Sequence, residues 1–262
     1  MTPTLSLPSP FDFAVFRELE CPVHRLLLLD YDGTLAPFHV ERAKATPYSG
    51  VREALISTSK SRGSRTVVIS GRPVAEVRGL LGLEVGVEIW GAHGWERLTP
   101  LGDFTAWPLS TTSQAELRDA WAAARRIVAE ELIEVKTASV AVHLRPLSAV
   151  EAGHARRAIH DEWGGRSRRT TLVLTEFDGG LELRDLSRTK ATAVETLLGE
   201  SPSNALAAYL GDDLTDEDAF ACLKNRGWAL LISRQTRPSI ATFSLCPPHE
   251  VTRFIEEWGA WA

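Results

Sequence analysis

The chain has 262 residues, 44% hydrophobic and 24% charged, which suits one large α/β domain or an ordinary core carrying a smaller domain. A formal net charge of −5 argues against nucleic acid or an anionic membrane as a general partner, so a small anionic substrate would need a local cationic pocket. Cys21, Cys222 and Cys246 are scattered and lack a C-x-x-C pair, which argues against a disulfide framework and a structural zinc site.

Residues 1–20 are rich in Pro, Ser and Thr and read as a loose or partly helical lead-in. No basic n-region precedes the short apolar run at 26–29, so a soluble, cytoplasmic protein is expected. Residues 25–30, Arg-Leu-Leu-Leu-Leu-Asp, form an apolar run ending in a carboxylate, as in a central parallel strand buried on both faces. A helix is expected over 49–61. Further buried strands are expected at 66–70, ending in Ser-Gly, at 87–90, ending in Gly-Ala-His-Gly, and at 207–210, ending in Gly-Asp-Asp. Another helix is expected over 215–225, with acidic residues in its first turn.

These strands point to an open, doubly wound parallel sheet, an α/β fold that binds ligands beyond the carboxyl ends of its strands. Asp30, Ser70, His93 and Asp212 should therefore converge. Residues 109–183 break the pattern and read as an inserted α+β cap, with core segments at 1–108 and 184–262. Within the cap, helices are expected at 113–131 and 148–163 and strands at 133–136, 139–145 and 170–176. The chain then returns through a helix at 188–198, strands at 228–232 and 242–245, and a closing helix at 250–258. Trp258 and Trp261 read first as core packing, with an exposed contact as the alternative.

Asp30-Tyr-Asp32-Gly-Thr34-Leu35 puts two carboxylates at i and i+2 where a strand breaks into a glycine turn. Asp30 can attack phosphorus and form an aspartyl-phosphate, while Asp32 protonates the leaving alkoxide and later deprotonates the attacking water. A plain D-x-D-G-T turn is the bland alternative, and the four preceding leucines make it the weaker one. A site with a nucleophilic carboxylate and an anionic substrate calls for a hard cation, and Mg²⁺ fits. Asp212 reads as a direct ligand, with Asp30 and the backbone carbonyl of Asp32. Asp213 and Asp216 read as groups supporting the metal's waters, as does Thr34 for the nucleophile loop; helix capping by Asp213 or Thr215 is the competing reading. Ser70 and Gly71 offer a hydroxyl and a backbone N–H to phosphate, although S-G-R alone is a weak signal.

The ordered set D-x-D-G-T, S-G-R, Lys190 and G-D-D resembles the haloacid dehalogenase-like superfamily of phosphatases. Residues 30–37, Gly91-Ala-His-Gly94 with Glu96, and Gly211-Asp-Asp-x-Thr-Asp-Glu217 are similar to trehalose-6-phosphate phosphatases in particular. The resemblance implies a Rossmann-like core with a cap inserted after the third strand, a phosphate-binding role for Lys190, and Mg²⁺ as cofactor. It implies sugar binding by Glu134, Lys136, Ser139 and Glu182 on the cap side, from the E-x-K-x-x-S-x-x-x-H-x-R pattern that also includes His143 and Arg145, and by His93 and Gly94. The implied activity is hydrolysis of trehalose 6-phosphate. Another phosphosugar or a pseudo-disaccharide (cyclitol) phosphate is the alternative, and a non-enzymatic sugar-phosphate-binding module is a distant third. The small phosphosugar is the expected partner, and a trehalose-phosphate synthase is the one protein partner the resemblance raises. Ala191 after Lys190, where the family usually has Gly, and Val135, where an acidic residue is common, depart from the pattern.

Overall fold

The structure is a computed structural model that describes residues 5–39, 41–83, 86–165, 171–177 and 179–261. It divides into two compact units, Met1–Thr105 with Thr189–Ala262, and Ala106–Arg188. In chain order the first unit opens with β1 (Ser9–Pro10), α1 (Val15–Glu18), β2 (Arg25–Leu29), α2 (Val51–Ser59), β3 (Ser64–Ile69), α3 (Val74–Leu81), β4 (Glu88–Gly91), β5 (Glu96–Leu98) and β6 (Phe104–Ala106). The second unit holds α4 (Thr111–Ala124), β7 (Ile133–Lys136), β8 (Ser139–His143), α5 (Ala149–Gly164), β9 (Leu172–Phe177) and β10 (Gly180–Asp185). The first unit resumes with α6 (Lys190–Glu200), β11 (Leu206–Gly211), α7 (Glu217–Cys222), β12 (Gly227–Ile232), β13 (Phe243–Leu245) and α8 (His249–Ala260).

One sheet runs β1-β13-β12-β11-β2-β3-β4-β5-β6, and β1 through β4 in that order pair in parallel. From β2 the chain winds outward through β3 and β4; from β11, the other neighbour of β2, it winds the opposite way through β12 and β13. The switch point therefore lies between β2 and β11, where loops diverge and leave a crevice at the strand ends. All five residues of β2 are buried, because both sheet faces are covered. Leu27 and Leu29 pack with Val51 and Leu55 of α2, Val77 of α3, and Phe254 and Trp258 of α8.

The expected central strands and the helices that flank them form at the expected places. The lead-in is more ordered than its composition suggests. Ser9 and Pro10 pair with Phe243 and Ser244, and Phe11, Phe13 and Phe16 join the core cluster around Phe254. Spaced aromatics were the signal there, outweighing the local Pro and Ser content. Trp258 and Trp261 are core packing: both are buried, and Trp228 stacks on Trp261. Helix α3 carries Val74, Val77, Leu80 and Leu81 on one buried face directly after Pro73, an amphipathic signal that the sequence reading passed over.

The second unit has a sheet of order β7-β8-β10-β9, antiparallel throughout. Helix α4 starts earlier than expected because the Ser110 hydroxyl caps it by accepting from Ser113 N–H at 3.0 Å. It also stops at Ala124 rather than 131, as Ile127 and Val128 turn into the apolar cluster of this unit. Strand β10 was missed, although Leu181 and Leu183 alternate with Glu182 and Arg184 and take the centre of the sheet. The strand expected at 170–176 is β9, and Thr170 lies outside the described residues.

Candidate active site

Asp30 is the first residue past β2, and its N–H donates to the Leu210 carbonyl of β11 at 2.8 Å. Asp212 follows β11 directly, so the switch point brings the two acidic loops together. Gly33 lets them touch. With φ +79° it turns the loop in the left-handed region, and a β-carbon there would stand 2.0 Å from Asp212 Oδ2. The glycine of D-x-D-G-T thus lets the carboxylate of G-D-D approach the loop, at a φ that favours glycine.

Lys190, the first residue of α6, points into this cluster. Its ammonium donates to Asp30 Oδ1 at 2.6 Å and to Asp216 Oδ1 at 2.7 Å, and all three side chains are buried. Asp30, Asp212 and Asp216 each offer an oxygen within 4.8 Å of the others. Three carboxylates facing one ammonium leave surplus negative charge. Burial pushes Asp30 well above the ordinary carboxylate range, with Lys190 opposing and Asp216 and Asp212 adding to the rise. Burial and Asp216 push Asp212 up to about 7. Burial also works against the Lys190 charge, yet Asp216 and Asp30 outweigh it and hold this pKa above the ordinary lysine value.

Asp212 Oδ1 is buried and finds no hydrogen-bond partner among the described residues. An orphaned carboxylate oxygen, a raised pKa and a surplus of negative charge are what a hard divalent cation would relieve. The donor set therefore fits Mg²⁺.

Asp32 stands apart from that cluster. Both its oxygens are taken by Arg72, Oδ2 by Nε at 2.6 Å and Oδ1 by Nη2 at 2.7 Å, and Arg72 also pairs with Glu76. The S-G-R turn announces no role for Arg72, because a buried bidentate clamp cannot be read from a strand-end turn. Ser70 is buried. Its N–H donates to Trp90 O at 2.8 Å and its carbonyl accepts from His93 N–H at 2.9 Å, so the loops after β3 and β4 are laced together. His93 sits at φ 57° and its imidazole lies over Gly71, where a β-carbon would come 2.7 Å from the ring. Gly94 is buried in the same turn. Glu96 accepts from Val74 N–H at 2.7 Å, which anchors the start of α3 and with it the S-G-R loop.

Thr34 is fully buried, with its hydroxyl unpartnered among the described residues. Asp216 goes further than the supporting group expected from the sequence: it is the counter-ion of Lys190 and also accepts from Tyr209 Oη at 2.7 Å. For Asp213 the capping alternative describes what is seen, since its side chain accepts from Leu214 N–H at 2.6 Å and starts a 3-10 turn, Leu214–Asp216, ahead of α7. That turn makes the helix begin later than expected. Arg237 donates to the Asp212 carbonyl at 3.2 Å and pairs with Glu217 at 2.5 Å, a tie no motif announced.

In the second unit the expected polar residues form their own cluster. Glu182 Oε1 accepts from Lys136 at 2.8 Å and from Ser139 at 2.7 Å, and His143 Nε2 meets Glu134 at 2.9 Å. Glu134 pairs across the sheet with Ala141, and Ala141 with Glu182, so strand register aligns Glu134 and Glu182 on one face. Val135 alternates to the other face.

A parallel sheet with acidic loops at its switch point, interrupted by an inserted α+β unit, is the haloacid dehalogenase-like hydrolase fold. A haloacid dehalogenase-like hydrolase from Bacteroides thetaiotaomicron matches it with TM-score 0.63, 17% identity and coverage of 89% of this chain and 98% of the other. The trehalose-phosphatase family model matches residues 28–247, and the chain belongs to that family. Probable trehalose-phosphate phosphatase G of Arabidopsis thaliana is 31% identical over 266 residues, covering 90% of this chain and 68% of that protein. A Mycobacterium tuberculosis protein described as an uncharacterized glycosyl hydrolase is also 31% identical over 244 residues; the match spans 88% of this chain but only 18% of that protein's length. The C-terminal domain of Candida albicans trehalose-6-phosphate phosphatase superposes with TM-score 0.81 at 19% identity, covering 98% of this chain and 99% of that domain, which is a likeness of fold. Among the described residues no helix is long and apolar enough to cross a membrane.

Proposed function

We propose that this protein is a Mg²⁺-dependent phosphatase that hydrolyses trehalose 6-phosphate to trehalose and phosphate. The observation that carries the chemistry is the buried Asp30, fixed by Lys190 beside the orphaned oxygen of Asp212. An Asp30 oxygen attacks phosphorus, the bond from phosphorus to the sugar oxygen breaks, and Asp32 gives its proton to the departing alkoxide. A water then attacks the aspartyl-phosphate, Asp32 takes back a proton, and phosphate leaves with the Asp30 carboxylate restored. Arg72 holds the Asp32 carboxylate in the resting site. For the first step Asp32 parts from that clamp and takes up a proton from solvent, and the proton it regains from the attacking water closes the cycle. Asp30, Asp212 and the Asp32 carbonyl would hold Mg²⁺, which supplies the positive charge that lets an anionic phosphate approach anionic carboxylates. Ser70, the Gly71 N–H and Lys190 hold the phosphate oxygens, and His93 and Gly94 line the approach.

The sugar assignment rests on family membership and on the Glu134, Lys136, Ser139 and Glu182 cluster. Carboxylates accept from vicinal hydroxyls and an ammonium donates to them. Val135 lies on the face opposite this cluster, so its departure from the family pattern leaves the polar face intact. The family match is what favours trehalose 6-phosphate, since the same face would take the hydroxyls of a cyclitol analogue as well.

Phosphate release from a panel of phosphorylated disaccharides and hexoses, with Mg²⁺ or with EDTA, tests the reading. Trehalose 6-phosphate is expected to lead in kcat/KM and EDTA to abolish turnover. Asp30→Asn is expected to be inactive with an unchanged circular dichroism spectrum, and full activity in that variant would sink the mechanism.

A further inference from the structure

Tyr209 lies on β11 three residues before Asp212 and is fully buried. Ala208 and Leu210, its neighbours along the strand, pack into the cluster with α2 and α8. Strand alternation turns Tyr209 to the other face, where its ring meets Phe220 of α7 edge-on at 5.6 Å. The phenol donates to Asp216 Oδ1 at 2.7 Å, the same oxygen that takes the Lys190 ammonium at 2.7 Å. Asp216 Oδ2 accepts from Asp213 N–H at 3.1 Å. Asp216 is thus held by three donors, and its one salt-bridge partner among the described residues is the lysine that touches Asp30.

A buried phenol needs an acceptor, but any backbone carbonyl would serve. Sharing one carboxylate oxygen with Lys190 does more. The hydroxyl satisfies part of the charge on Oδ1, so the ammonium is not drawn wholly to Asp216 and keeps its bond to Asp30. With two of its three N–H groups committed in fixed directions, the third has a defined heading.

We propose that Tyr209 is a positioning residue for phosphoryl transfer, setting through Asp216 where the Lys190 ammonium stands relative to Asp30. This rests on the phosphatase reading above. Tyr209→Phe keeps the ring and its packing and removes only the hydroxyl. The ammonium then shifts toward Asp216, and misplacement by a fraction of an ångström lowers kcat by roughly tenfold. KM rises by less than kcat falls, because Lys190 is one phosphate contact among several and the Ser70, Gly71 and sugar contacts stay in place.

The experiment measures kcat and KM on the preferred panel substrate for wild type, Tyr209→Phe, Asp216→Asn and the double variant, with melting curves to verify folding. The expected result is a kcat loss in Tyr209→Phe that vanishes in the Asp216→Asn background. If Asp216→Asn turns over too slowly to read, calorimetric titration with inorganic phosphate in Mg²⁺ replaces kcat in the cycle, with the same non-additivity expected. A Tyr209→Phe enzyme with wild-type kcat, or an equal loss in both backgrounds, overturns the positioning role while the phosphatase reading stands. A wild-type protein that releases no phosphate from the panel overturns both.

Discussion

Asp212 is the residue through which the buried acidic cluster destabilises the fold, and replacing it makes the effect measurable. Its carboxyl is pushed from an ordinary 3.8 up to about 7, first by burial and then by Asp216. The folded chain therefore binds this proton more tightly than the unfolded chain. Stability from this group is greatest at low pH, falls as pH climbs from about 4 toward 7, and is fully lost above. The gap corresponds to roughly 4 kcal/mol for the ionised group, and solvent reaching a half-buried carboxylate brings this to ~2 kcal/mol. Asp212→Asn removes the charge at constant shape. In EDTA at pH 8 the variant is expected to melt about 4–8 °C higher than wild type, with the difference disappearing near pH 4. Added Mg²⁺ should raise the wild-type melting temperature and leave the variant's unchanged. Scanning calorimetry at both pH values, with and without Mg²⁺, reads all four conditions. A variant that melts no higher than wild type in EDTA at pH 8 would refute the electrostatic account, and equal Mg²⁺ stabilisation of both would refute Asp212 as a ligand.

Two further substitutions test the geometry. Gly33→Ala places a β-carbon against Asp212 Oδ2 at positive φ; a strain of about 1–2 kcal/mol should appear in denaturant melts, and Mg²⁺ affinity by calorimetric titration should drop at least roughly tenfold. Wild-type affinity would mean the two loops are not coupled. In the second unit, Asp185 accepts from Ser113 at 2.5 Å, Thr171 at 2.7 Å, and the Ser187 N–H and hydroxyl at 2.7 and 2.6 Å. Burial opposes its charge, but these bonds prevail and hold its pKa below the ordinary value. Asp185→Asn should cost about 1–3 kcal/mol in urea unfolding at pH 7, a loss that shrinks as pH falls below the ordinary carboxylate value near about 4, where the unfolded chain takes up a proton that the folded chain resists. An equal cost at pH 7 and pH 3 would contradict the ionised hydrogen-bond network.

Much of the fold and the Asp30 loop was legible because burial on both faces forces an unbroken apolar run, and four such runs end in polar residues. That pattern is local, so residues 25–30, 66–70, 87–90 and 207–210 announce themselves without knowledge of their neighbours. Turn chemistry is local too, and D-x-D-G-T and G-D-D carry it. Resemblance supplied Lys190, whose place in a helix start has no local signature. Strand β10 and helix α3 are also written in the sequence, in alternation at 181–184 and in the spacing of Val74, Val77, Leu80 and Leu81.

That Asp30 ends a buried strand is legible in the sequence alone. Its neighbours are not. That Arg72 takes both oxygens of Asp32, that Asp216 rather than Asp213 faces Lys190, and that Tyr209 shares its oxygen are decided by which strand lies beside which. Side-chain partners across 7 to 160 positions of sequence depend on register, crossover and rotamer together, none of which a linear spacing encodes. Sequence determined where the carboxylates cluster, because hydrophobic runs and glycine turns act on adjacent residues; tertiary structure decided which carboxylate each cation holds, because that is a competition among groups the chain brings together only once folded.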